Sequence, residues 1–309
     1  MSGGTDAGPT GSGPTTETDG GTESGLAEGS ILLSGDRRAA VTRFLAVVGR
    51  EHTTVLRTRS LLAVAVGFAV AVVGLAWVAG TTGYVPAVLN LLTPVEVLVP
   101  ALAVAFGYGA VLGDRTRGEL DVVRTYPLDR REYLLAVYLG RSVVLLFAVL
   151  VPLFLVAVLV ALTGGAKTSV LASHAGADSF VLFVRFVVLS GLLALVSLAV
   201  AVAVSAAAGG PRSAAALGIG AVFALVVGID LAIVAGIGTA FPSDALPIVL
   251  AFSPTGAYRG LVLASVLDVS LAEAPSSGTP LLSLAGLLAW LLGPLALAVL
   301  AVAPVGSRR

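Results

Sequence analysis

Cysteine is absent from the 309 residues, and methionine occurs only at position 1. Disulfides, iron–sulfur clusters and thiolate metal sites are therefore excluded. Histidine occurs twice, as His52 and His174, far apart in sequence. Charge is also scarce, at 12% of residues, against 57% hydrophobic ones. Mean hydropathy is +1.01, and several runs of bilayer-spanning length carry almost no charge. A soluble globular chain does not have this composition, whereas a polytopic membrane protein does.

The first 35 residues differ from the rest. They are rich in Gly, Ser and Thr, have no Lys or Arg, and carry Asp6, Glu17, Asp19, Glu23 and Glu28. Such a segment has too little apolar surface to offset its ordering entropy, so residues 1–35 read as a disordered acidic tail. It lacks the basic start and apolar core of a secretory signal. With 17 Arg beside the single Lys167, the composition fits a halophilic organism with a GC-rich genome.

Six spans are expected, at Leu61–Gly80, Val95–Leu112, Val143–Leu162, Phe180–Ala207, Ala214–Ile237 and Leu281–Ala303. Each is long enough to cross about 30 Å of hydrocarbon at 1.5 Å per residue. Pro294 should kink the last one. The fold class is all-α, a six-span membrane domain over residues 61–304. Six Arg lie between Arg37 and Arg59, six between Arg115 and Arg141, one at Arg212, and Arg308 and Arg309 end the chain. An even number of spans puts these on one side, 15 of the 18 basic residues. By the positive-inside rule that side is cytoplasmic, both termini included, in a cell membrane. Residues 36–60 read as an amphipathic helix at the membrane surface. Val41, Phe44, Leu45 and Val48 recur at helical spacing, with Arg43, Arg50 and Arg57 turned to the headgroups.

The densest charge lies in the cytoplasmic loop 113–141. From Arg115 to Tyr133, nine of 19 residues are charged. Arg117–Tyr126 has helical spacing and Pro127 ends it. Asp129 with Glu132 forms a capping-box variant that opens a second helix, Arg130–Leu139, running along the interface into the third span. The residues expected to face a soluble partner are Arg115, Arg117, Gly118, Glu119, Leu120, Thr125, Pro127, Arg130, Arg131 and Glu132.

The run GYGAVLGDRTRGELDVVRTYPLDRREYLLAVYLGR, Gly107–Arg141, resembles the first cytoplasmic loop of type-2 ABC exporter permeases. The matching residues are Asp114, Arg115, Gly118, Glu119, Leu120, Thr125, Pro127, Arg130, Arg131, Leu139, Gly140 and Arg141. Tyr108, and SPTGAYRG at Ser253–Gly260, are closest to the branch that serves nitrous-oxide reductase maturation. The resemblance implies a coupling helix gripped by a separate ATPase subunit, and a homodimer or a pseudo-dimer with a second permease. It implies no cofactor in this chain, because ATP and Mg belong to the partner, and no nucleic acid.

Sequence features of an enzyme, which would contradict this reading, are missing. GGAKTS, Gly164–Ser169, lacks the Gly-Lys-Thr order and the glycine spacing of a P-loop. Asp230 is the only deeply placed aspartate, so the two-carboxylate site of an intramembrane aspartyl protease is missing. No span carries a histidine base for a serine mechanism. Copper(I) needs Cys, Met or His ligands, and the spans hold none. The chain is therefore not expected to be an enzyme or to bind a metal. The rival from another class is a membrane anchor or assembly scaffold that recruits a soluble partner through the same loop. A secondary transporter would need buried midplane charges and an internal repeat, and the sequence has neither.

Three charges fall inside spans, Glu96, Arg185 and Asp230, where charge is costly. Arg185 and Asp230 are expected to pair near the outer mouth, with Glu96 in reach. In the outer stretch 241–280, Ala245–Phe252 and Leu261–Leu267 are too short to cross and read as re-entrant or surface helices, with Tyr258 and Arg259 anchored at headgroups.

Overall fold

The structure is a computed structural model. It describes residues 42, 44–80, 82–118, 130–163, 178–236, 246–267 and 280–302. Residues 1–43 form one compact unit and 44–309 another. Only Thr42 of the first is described, and the second is the subject below. The acidic tail and the stretch carrying the expected Arg117–Tyr126 helix beyond Gly118, with Pro127 and Asp129, lie outside the described residues.

Among the described residues every regular element is helical, and six helices are long and apolar enough to cross a membrane. A first helix, α1 (residues 44–57), ends at Thr58. Then follow α2 (Arg59–Val78), α3 (Tyr84–Gly107) and the short α4 (Ala110–Thr116). Next come α5 (Arg130–Thr163), α6 (Phe180–Ala207) and α7 (Pro211–Gly236), whose middle opens into a π turn at Ala224–Gly228. Two shorter helices are α8 (Leu246–Ala251) and α9 (Pro254–Val262), the latter running on into a π turn at Leu263–Leu267. The last is α10 (Pro280–Ala301).

The expected spans are all present, but two begin well before their expected starts. The second starts at Tyr84 rather than Val95, with Pro94 and Pro100 inside the helix. Neighbouring helices can re-satisfy the carbonyls that an intramembrane proline frees, so these prolines do not mark a boundary. The third is one 34-residue helix from Arg130, with Pro152 inside it. Arg130–Leu139 is therefore the end of that span and not a separate surface helix. Pro294 lies within α10, whose helix continues through it.

The core is centred on α3 and α6, which pack along their length, with α10 on another side of α6. Phe106, Leu91 and Leu102 of α3 meet Phe183, Phe186, Leu193 and Leu198 of α6 in one buried cluster. Small residues allow the close approach, as is usual where lipid offers no competing hydrophobic drive. A Cβ on Gly107 would stand 2.4 Å from that of Ala201. The outward faces are apolar instead of polar, with Val70, Trp77, Ile219 and Leu300 all more than half exposed. A surface of this kind fits hydrocarbon and not water. The chain is a multi-pass membrane protein.

Candidate functional site

The Arg-rich end is organised around a break. Helix α3 stops at Gly107, and α4 restarts at Ala110 after Gly109 (φ −100°, ψ 8°). A restarted helix has N–H groups without carbonyl partners. The Ser205 hydroxyl of α6 accepts from two of them, Val111 N at 3.0 Å and Leu112 N at 3.1 Å. Arg115 makes the reciprocal contact, donating to the carbonyls of Ala206 and Ala208, both at 3.1 Å. A cation at a helix C-terminus also meets the negative end of its dipole. Gly118 follows with φ +70°, the left-handed backbone that glycine adopts at least cost.

Asp114 is the hub. Its carboxylate is about 1% exposed and accepts from Arg50 of α1 at 2.7 Å, Tyr133 of α5 at 2.6 Å and Arg117 at 3.0 Å. Two separate elements, α1 and α5, are thus tied to the start of the loop. A second pair lies beside it, with Arg141 Nε donating to buried Glu51 at 2.9 Å while its Nη1 reaches the Phe106 carbonyl. Arg50 also contacts Glu51 at 3.0 Å. Partial burial on its own would lower the Arg50 pKa, but Asp114 and Glu51 outweigh it and raise it. Helix α1 approaches closely because residue 140 is glycine. A Cβ there would sit 2.7 Å from Glu51 Cβ and 2.8 Å from the Val48 carbonyl oxygen.

The inward face of α1 carries Glu51 and Val55, both buried, while Leu45 and Leu56 are exposed. Leu45 and Leu56 belong to the expected apolar stripe, and Arg50, expected at the headgroups, is bonded to Asp114 and Glu51 instead. Arg115 and Arg117, expected on a partner-facing surface, are exposed and also make intramolecular bonds. Arg130 and Arg131 are exposed in the first turn of α5, with Glu132 partly exposed beside them. Glu119, Leu120, Thr125 and Pro127 lie outside the described residues.

At the opposite end α8 and α9 fold back against the spans. The expected break at Pro254 and Gly256 is instead a helix start. Ser253 is the N-cap of α9, accepting from Gly256 N at 3.2 Å, and Pro254 is its first residue. Helix α9 packs against α6, against the π turn of α7 and against α10. Close contact of the α8 C-terminus with α10 requires Gly286, where a Cβ would lie 2.0 Å from the Ala251 carbonyl oxygen.

This element replaces the expected Arg185–Asp230 pair. Asp230 accepts from the Ser253 hydroxyl and from Thr255 at 3.1 Å. Arg185 donates at 2.8 Å to the carbonyl of Ser265, in the π turn that follows α9. The physical reason is that this segment reaches both spans and offers each charge a partner of its own. Tyr258 is not a headgroup anchor, being fully buried. Its hydroxyl lies 2.9 Å from Ser190 Oγ, whose own proton goes to the Phe186 carbonyl, so Tyr258 is the donor. Arg259 is half exposed and also has a partner within the protein. It grips Glu96 through both Nε (2.8 Å) and Nη2. Glu96 is 3% exposed, so its charge is matched inside the protein. The sequence signal for these missed partners is SPTGAYRG itself, a capped helix start with one cation in a stretch nearly free of charge.

Among the described residues no group of three or more His, Cys, Asp or Glu side chains could hold a metal ion.

A six-span bundle with an ion-paired loop start at one end and a folded-back helix at the other is the form of a transporter membrane domain. Residues 44–302 match the family model described as ABC-2 family transporter protein, and the chain belongs to that family. Two curated relatives are each named "Probable ABC transporter permease protein NosY". The one from Pseudomonas aeruginosa is 34% identical over 172 residues, covering 52% of this chain and 59% of the relative. The one from Stutzerimonas stutzeri is 34% identical over 167 residues, covering 52% of this chain and 58% of the relative. The matched stretch thus spans somewhat over half the length of each. This chain is an ABC-2 type permease similar to those proteins.

Proposed function

We propose that this chain is the membrane subunit of an ATP-driven exporter, with ATP and Mg held by a separate ATPase subunit that docks on residues 117–132. The positive-inside bias places that loop and both termini in the cytoplasm. The reading is supported most by the Asp114 hub. A partner pulling on the loop acts on a segment already joined to α1, α5 and, through Arg115 and Ser205, to α6. Force applied there moves several spans as bodies, which is how packed helices carry a two-state transition. Exposed Arg130 and Arg131 remain available to the partner. The assembly works as a dimer or pseudo-dimer, and catalysis belongs to the ATPase alone. Similarity to permeases named NosY supports placement in the nitrous-oxide reductase maturation branch.

The test is purification of the tagged full chain from its native membranes with E119R and R131E beside it. ATP hydrolysis should accompany the wild type and be lost from both variants, which still insert. Equal hydrolysis in all three would refute docking on this loop, and none with the wild type would favour the scaffold.

A further inference from the structure

The Glu96–Arg259 contact leaves part of a guanidinium unused. Nε and Nη2 are taken by the two carboxylate oxygens, while Nη1 has no hydrogen-bond partner among the described residues. The Arg259 side chain is 50% exposed, against 4% for that of Glu96. The charge presented outward by the pair is therefore positive. The two-point grip also fixes the plane of the fork, so the free edge is aimed in advance.

Its place along the spans matters. Glu96 precedes Arg115 by 19 residues, and Asp230 follows Pro211 by 19 residues. At 1.5 Å per residue both lie about 28 Å from the Arg-rich end, close to the far edge of a hydrocarbon layer about 30 Å thick. Unsatisfied N–H groups are costly in lipid, so this edge needs an acceptor or water. Below it runs an apolar furrow between α3 and α7, about 590 Å³, reaching from Tyr108 past Val104 and Ala101 to Val97 and Val227. Val97 follows Glu96 directly, and Asp230 lies one helical turn beyond Val227.

We propose that the free edge of Arg259 is an oxyanion site at the mouth of this furrow, taking a carboxylate, sulfonate or phosphate-type group of the molecule the permease handles. Glu96 is the positioning residue that holds the fork in place. With Glu96 bound and Asp230 in electrostatic reach, the site binds an anion weakly and releases it readily, which suits passage more than storage. The assignment deepens the permease reading and rests on it, but its test needs no ATPase.

Because the chain has no cysteine, single-cysteine labelling is free of background. The full chain with V97C would be treated with an anionic sulfonate thiosulfonate and with a cationic trimethylammonium thiosulfonate, at low salt. A unit positive charge within about 8 Å in water separates reagents differing by two charges about fivefold. Glu96 offsets part of this field, so the anionic-to-cationic rate ratio in V97C should lie below that factor, fall by about fivefold in V97C/R259Q and rise by about fivefold in V97C/E96Q. Inorganic phosphate should slow labelling of V97C in lipid-free micelles. The same protection in bilayers assigns a soluble oxyanion, and its loss there assigns a lipid phosphate. Three results would overturn the site: an advantage unchanged by R259Q, no phosphate protection in either medium, or V97C labelling no faster than V151C on the outer face of α5.

Discussion

Replacing Asp114 measures the hub at the start of the loop. The carboxylate uses one oxygen for Arg50 and Tyr133 and the other for Arg117. An asparagine can keep its carbonyl toward Arg50 and Tyr133, but its amide then faces Arg117. Arg117 is 55% exposed and can turn to water. The loss for D114N is the charge assistance at Arg50, since charged hydrogen bonds are about twice as strong as neutral ones. That amounts to about 1–2 kcal/mol, reduced from a fully buried figure because Arg50 is 36% exposed. Alanine removes every acceptor at position 114, orphaning the Tyr133 hydroxyl and leaving Arg50 with Glu51, and should cost about 2–4 kcal/mol. The exposed Arg117–Asp114 pair that R117Q breaks is worth about 0–1 kcal/mol. Equilibrium unfolding of the purified chain in mixed detergent micelles gives the three values. The expected order is D114A well above D114N, and D114N above R117Q. If R117Q destabilises as much as D114A, or D114A unfolds with the wild type, Asp114 is not the hub described.

Three further outcomes follow from particular contacts. G140A forces a Cβ against the Val48 carbonyl, so α1 must shift, at about 1–3 kcal/mol; protease nicking of residues 44–57 should rise with it. S205A orphans two amides at the restart of α4, costing about 1–3 kcal/mol, with faster hydrogen exchange at Val111 and Leu112 than at Leu102. S253A removes the N-cap of α9 and a donor to Asp230, losing about 1 kcal/mol from the cap alone; S253T, which keeps the hydroxyl, should lose much less.

Span existence was legible because hydropathy integrates over twenty residues and tolerates local errors. Boundaries were less so. Prolines 94 and 100 resemble helix breakers in sequence, yet sit inside α3, where neighbouring helices cover the freed backbone. The helical period of α1 was readable, but not that its inner face would hold Glu51 against Arg141, since the partners are 90 residues apart. Arg185 and Asp230 were recognisable as charges needing partners. Their actual partners are a backbone carbonyl and two hydroxyls supplied by the segment around α9. A carbonyl acceptor has no sequence signature, and the fold-back of α8 and α9 decides which charges can meet. The motif residues Asp114 and Arg141 were legible as a resemblance, while their chemistry as the centres of two buried ion pairs needed the third dimension.

The central claim is that an ATPase grips the loop at the Arg-rich end, and cross-linking tests it most directly. R131C in the otherwise cysteine-free chain, carrying a photoactivated linker in native membranes, should join to one protein bearing a Walker-A motif. A linker at S179C, at the opposite end, should not. An R131C adduct lacking that motif, or equal capture from both positions, would contradict the account.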